Sequence, residues 1–270
     1  MSGRTSPARN GTAGIQVRGG FPVAPIVGLA ALLFLIAPFA ALAFATGWRQ
    51  FHFISGDFSA AFVSVFYSLV ALPIIALLGT PLAWWLARGT VRWKWLIEAA
   101  VLLSLLTPPL ALGILLASLY GPYGPLGAPL EKVGLVLTNT APAFVLAQIY
   151  GAMPYYVITA RVAFESVPRE LEDIGLTLGK ERWQVFLAVT LPMARLGIAA
   201  GLALAWVRAL GEFGIVLIIA YFPHGIPVKL WVNLEDSGLS TVYPLLWLFF
   251  LVALPLPLWL GIVSRRRGII

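Results

Sequence analysis

The chain has no cysteine and only two histidines, His52 and His224, so disulfides, thiolate metal sites and cysteine nucleophiles are excluded and no histidine cluster is available for a metal. Charge is also scarce. Only 11% of its 270 residues are Asp, Glu, Lys or Arg, while 60% are hydrophobic and the mean hydropathy is +0.92. So little polar surface cannot cover a water-soluble domain of this size. Apolar/polar alternation at period two is absent, which disfavours a membrane β-barrel. A phosphate cradle is missing too. The nearest stretch, GLTLGKE at 175–181, puts three residues rather than four between its glycines and has Glu181 where a Mg²⁺-binding Ser or Thr is needed. With no HExxH, no GxSxG and no paired intramembrane carboxylates, the chain is not expected to be an enzyme.

What is present is a set of apolar runs, each about 20 residues or longer, the length a helix needs to cross roughly 30 Å of hydrocarbon. Six are read: 22–45, 60–87, 96–120, 141–160, 196–222 and 242–263. The first is preceded by Arg4, Arg9 and Arg18 and contains ALAFA at 41–45, a pattern that raises the question of signal cleavage. The run exceeds the 7–15 apolar residues of a signal peptide, so it is read as an anchor. The expected fold is an all-α integral membrane protein: a tail at 1–20, a six-span domain at 21–264 and a tail at 265–270.

Basic residues orient it. With the amino terminus inside, every Lys and Arg falls on an inner segment except Arg49, Lys132 and Lys229 outside and Arg208 within a span, so both termini are expected to be cytoplasmic. The net charge of +7 is scattered over span ends without a basic, aromatic-interleaved soluble face. It is read as a topology signal and a contact to anionic lipid, and no nucleic-acid partner is expected.

The longest inner connection, 161–194, carries helix signals. Ser166, Pro168 and Glu170 supply an N-cap, a first-turn proline and early negative charge. Leu171, Ile174 and Leu178 make an apolar stripe, with Glu170, Glu172 and Asp173 largely off it. Gly179 suits a left-handed helix stop. A second helix starts near Lys180, carries Trp183, Phe186 and Leu187 on one face, and is expected to break at Pro192. Amphipathicity alone leaves interfacial packing under the bundle as probable as docking.

This segment resembles the cytoplasmic loop of permease subunits of ABC importers, whose pattern is Glu-Ala-Ala, three residues, Gly, nine residues, Ile-x-Leu-Pro. Here Gly179, nine residues and Val189-Thr190-Leu191-Pro192 keep the spacing, and Asp173-Ile174-Gly175 stands in place of the triplet. The resemblance implies an elbow that inserts into a separate ATPase: Glu170, Asp173, Gly179, Trp183, Phe186, Leu191 and Pro192 would couple, and ATP and Mg²⁺ would be held by the partner, with no cofactor in this chain. LLTPPLALGILLASLYGPYGPLG at 105–127 and WVRALGEFG at 206–214 resemble oxyanion permeases, the molybdate/tungstate branch in particular. Beyond Gly214 the sequence departs from that family's Ala-Gly-Asn-containing loop. The resemblance implies a permease homodimer with two ATPase subunits and an extracytoplasmic binding protein, located in the inner membrane.

Arg208 and Glu212 lie four apart, and pairing is preferred over direct anion contact because a lone charge in a bilayer is expensive. Gly197 and Gly201 form a small-xxx-small face suited either to packing within the subunit or to a homodimer. The third and fifth runs, with Pro108, Pro109, Arg208 and Glu212, are expected to line the pore. Rival readings are a sulfate/thiosulfate permease, a permease for another small solute, an ion-coupled carrier and a non-transporting assembly factor. The scarcity of mid-membrane ionisable groups disfavours the ion-coupled carrier.

Overall fold

The computed structural model describes residues 23–266, and among them there are helices and connections but no strand. The expected tail at 1–20 lies outside the described residues. At the other end, helix continues to Arg266, two residues into the segment read as a tail, and 267–270 lie outside. The chain separates into two compact units, 1–47 and 48–270. The first holds α1 (Val23–Ala45), an apolar helix long enough to span a membrane.

The second unit is built around α2 (Asp57–Arg88), α3 (Lys94–Leu106), α4 (Pro109–Tyr120), α5 (Gly127–Lys132) and α6 (Ala141–Glu165). There follow α7 (Arg169–Thr177), α8 (Arg182–Val185), α9 (Leu191–Leu210), α10 (Gly214–Ile219), α11 (Ile226–Ser237), α12 (Leu239–Ala253) and α13 (Pro255–Arg266). Among the described residues, five helices are long and apolar enough to cross a membrane, or six when α3 and α4 count as one broken span.

Two of the expected spans change shape. The run read as 96–120 is two helices bent by 111°, because Pro108 and Pro109 each push the preceding residue out of helical backbone. The run read as 196–222 ends at Leu210, and Gly211–Phe213 separates it from α10. The divergent stretch after Gly214 is not a simple loop: it folds into α10 and α11. The buried Ser64 hydroxyl of α2 accepts from Ile226 N at 2.8 Å, and Asp57, fully buried, accepts from Asn233 Nδ2 at 3.1 Å. His224, in the connection before α11, stacks on Phe222, and burial, then Lys229, push its imidazole below the ordinary value.

The core sits where α6 packs between α2 and α9. In lipid, helices associate through close packing rather than through the hydrophobic effect, so small residues dominate such interfaces. Ala71, Ala83, Ala152 and Ala160 are buried here around Tyr156, whose hydroxyl meets that of Thr80 at 2.6 Å. A side-chain carbon on Gly197 would collide with Ala163, and one on Gly201 would press on Tyr156 and Thr159. The small-residue face therefore serves packing of α9 on α6 within the subunit.

Candidate functional site

One end of the bundle carries the elbow. Gly179 has φ +81°, the left-handed conformation that lets α7 stop and the chain turn into α8. Ser166 does not cap α7. Its hydroxyl donates to Ala163 O at 2.8 Å at the end of α6, and Pro168 takes the position before Arg169. Glu170 and Glu172 lie in the first turn of α7, where the helix dipole favours acids. The start of α8 is fixed by a capping box that sequence reading missed: Glu181 caps it and Gln184 Oε1 accepts from Glu181 N at 3.0 Å. The Glu-x-x-Gln spacing was the available signal.

The expected break at Pro192 does not occur. Residues 182–210 form one 29-residue helix, widened by a π turn at Phe186–Thr190 in which Leu191 N donates to Phe186 O. Proline lacks an N–H and crowds the carbonyl four residues earlier; the widened turn relieves both problems. The second arm of the elbow is consequently continuous with a membrane-spanning helix.

Glu172 holds the first arm. Arg88, at the end of α2, donates from Nε at 2.9 Å and from Nη2 at 3.0 Å to the two carboxylate oxygens, and Thr190 Oγ1 donates to Oε1 at 2.7 Å. Arg88 Nη2 also donates to Val167 O at 2.8 Å. One carboxylate thus ties α7 to α2 and to the π turn. Neither Arg88 nor Glu172 was singled out from sequence, because partners 84 residues apart leave no local spacing signal.

The two faces of the elbow differ. Gly175 is buried against Val185, so the glycine standing in the triplet allows the two arms to approach closely. Phe186 packs inward on Trp84 and Phe164, with ring centroids 5.1 and 5.8 Å apart, which removes it from the stripe shared with Trp183 and Leu187. Outward lie Leu171, Ile174, Leu178, Trp183 and Leu187, all exposed, with Ile174 at 54% and Leu178 at 75%. Glu170, Asp173 and Pro192 are exposed too, and Leu191 is half-buried. A cavity of about 490 Å³ lies beneath, lined in part by Trp84, Arg88, Arg169, Glu172 and Arg182.

The second candidate region lies at mid-depth. Glu212 follows the end of α9 rather than sharing a helix face with Arg208, yet the two pair through Oε2 and Nη1. Glu212 Oε1 also accepts from Ile215 N at 3.0 Å, which ties the break to α10. The glycines around this break are required by close approach. A side-chain carbon on Gly151 would meet the Glu212 carboxylate, and one on Gly214 would sit 2.6 Å from Pro109 Cβ and 2.9 Å from Leu110 N. Pro109 and Arg208 line a small cavity with Ser104, Thr107 and Tyr155. Pro108, at the α3–α4 bend, is exposed and does not line it. Gly151 and Tyr155 stand near the centre of α6, which places the pair about halfway along the span.

Comparison with known proteins bears on both regions. The model of the binding-protein-dependent transport system inner membrane component family matches residues 79–268, which include both the elbow and the charge pair. The probable molybdenum ABC transporter permease protein of Haloferax volcanii is 38% identical over 216 residues, covering 79% of each chain. The molybdenum transport system permease protein ModB of Escherichia coli K12 is 30% identical over 221 residues, 78% of this chain and 96% of that one. The molybdate/tungstate transport system permease protein WtpB of Thermococcus kodakarensis is 32% identical over 176 residues, 65% of this chain and 66% of that one. A chain of the bacterial alginate ABC transporter, crystallised with an alginate pentasaccharide-bound periplasmic protein, shares the fold with a TM-score of 0.66 at 18% identity, over 90% of this chain and 93% of that one. An elbow continuous with a span, and a family match that runs through it, lead to one conclusion: this chain belongs to the binding-protein-dependent transport system inner membrane components, the permease subunits of ABC importers.

Proposed function

We propose that the chain is the permease of an importer for molybdate or tungstate, working as a homodimer with two ATPase subunits and an extracytoplasmic binding protein. Both termini would be cytoplasmic, following the basic-residue bias. The observation that carries the coupling part of the reading is the elbow: an exposed apolar outer face on a segment held to two spans by Arg88, Glu172 and Thr190.

In this reading an ATPase groove covers Leu171, Ile174 and Leu178, and ATP with Mg²⁺ is held by that partner. Closure of the two ATPases displaces α7. Glu172 passes the displacement to α2 and to the π turn, and the continuous helix at 182–210 carries it to mid-depth. The π turn suits this role because it keeps the helix unbroken across Pro192. The substrate class is supported by the names of the relatives above and by the arginine at mid-depth. Weak pore contacts would leave selectivity to the binding protein.

Uptake of labelled molybdate by cells with and without the gene tests the proposal, with excess tungstate or sulfate as competitor. Gene-dependent uptake suppressed by tungstate but not by sulfate is expected. A fall in sulfate uptake with molybdate uptake unchanged would replace the substrate.

A further inference from the structure

We infer that Arg208, Ser104 and Tyr155 form a transit site for a small oxyanion at mid-depth, with Glu212 as the fixed counter-charge that keeps binding weak. The inference rests on the oxyanion reading above and adds the place where the ion is held.

The cavity at the junction of the α3–α4 bend and the α9–α10 break measures about 80 Å³. One water requires roughly 15 Å³, so this space admits a small polyatomic ion or a few waters. Irregular backbone at membrane depth is tolerated where it lines such a cavity, and both breaks do so here: Thr107 and Pro109 at the first, Arg208 and Ile215 flanking the second.

The hydrogen-bonding groups around the cavity match an anion. A guanidinium has five N–H donors in a planar fork. Arg208 engages Glu212 through Nη1, and its Nε and Nη2 have no acceptor among the described residues. Its side chain is 23% exposed, whereas that of Glu212 is fully buried, so the acid is enclosed and the base is open. Ser104 and Tyr155 line the same cavity, and neither hydroxyl makes a hydrogen bond to another described residue. Thr107 lines it as well, but its hydroxyl donates to Leu103 O at 2.6 Å and contributes shape rather than a donor. No carboxylate lines the cavity. Tyr155 also lies beneath the guanidinium, 5.6 Å from ring centroid to Cζ, which orients the fork.

Glu212 accounts for both the stability of the site and its weakness. An arginine alone at this depth would be costly; paired, it is tolerated. Because the pair is formally neutral, an anion meets directed donors without a full opposing charge, which suits a site that must release its cargo.

The test uses the complete transporter in proteoliposomes, with ATPase and binding protein. R208Q/E212Q removes both charges at once and leaves no lone ion in the bilayer. The complex is expected to assemble, and oxyanion uptake per assembled complex is expected to fall at least about tenfold, the scale of a lost charge-assisted hydrogen bond. Wild-type uptake in that assembled variant would overturn the site. Should it fail to assemble, S104A/Y155F decides, since it leaves the pair intact. Reduced uptake with altered discrimination between molybdate and sulfate is expected, and unchanged uptake and discrimination would overturn the site. Wild-type vesicles that move no oxyanion at all would overturn the functional reading and the site together. Wild-type uptake with unaffected variants would overturn the site alone.

Discussion

The elbow and the mid-depth break are both interruptions of helix, built from opposite materials. At the elbow, charged and hydroxyl side chains hold the turn, and apolar residues face outward. At mid-depth, glycines allow backbone to touch backbone, and the two charges present neutralise each other. The difference follows from solvent. Near water, an ion pair can form and rearrange at modest cost; inside the bilayer, backbone groups must be satisfied and charges must be paired or face a cavity, and packing is the main adhesive. In the proposed function, the segment that receives a mechanical push is attached by side chains, whereas the one proposed to surround a passage is held by close backbone contact.

The largest expected effect tests the packed side of this contrast. Gly214→Val places carbon against Pro109 and the Leu110 backbone, neither of which is a flexible side-chain end, and should cost about 1–3 kcal/mol through overpacking. A lower thermal midpoint of the detergent-purified protein would register it, and an unchanged midpoint would break the contrast. Next is Glu172→Ala, which leaves Arg88 and Thr190 without their shared acceptor. A loss of about 1–3 kcal/mol is expected, together with a fall in uptake larger than the loss of folded protein accounts for. Uptake proportional to folded protein would mean that the carboxylate holds the structure without transmitting motion.

Gly179→Ala forces a side chain into left-handed backbone and should cost about 1 kcal/mol, read as a small shift of the unfolding midpoint. The smallest effect on stability, within about 0.5 kcal/mol, is expected for I174S/L178S because both residues are exposed. Co-purification of the ATPase should nevertheless be lost. Retained co-purification would assign the stripe to lipid and leave the elbow without its partner.

Much of this was legible in residue order. Gly179 was identified as the left-handed stop and sits at φ +81°. The pairing of Arg208 with Glu212 was preferred, and it is present, although the helix that was expected to carry both ends between them. The expected break at Pro192 failed because a π turn, which depends on which carbonyl a given N–H reaches, has no local sequence rule as strong as proline's. The third run was read as one span because hydropathy measures apolar length and is blind to direction, so a 111° bend at Thr107–Pro108 leaves its profile unchanged.

What the sequence determined by itself is therefore the environment and the punctuation. Hydrocarbon requires long apolar helices, and the spacing from Gly179 to Pro192 sets an elbow between two of them, because both depend on neighbours along the chain. Tertiary structure alone decided which groups meet. Arg88 reaches Glu172 across 84 positions, Gly214 lies against Pro109, and Ser104 faces the same space as Arg208. Such contacts depend on how whole helices cross, which is settled by the packing of small residues over an entire face and is not encoded in any short stretch.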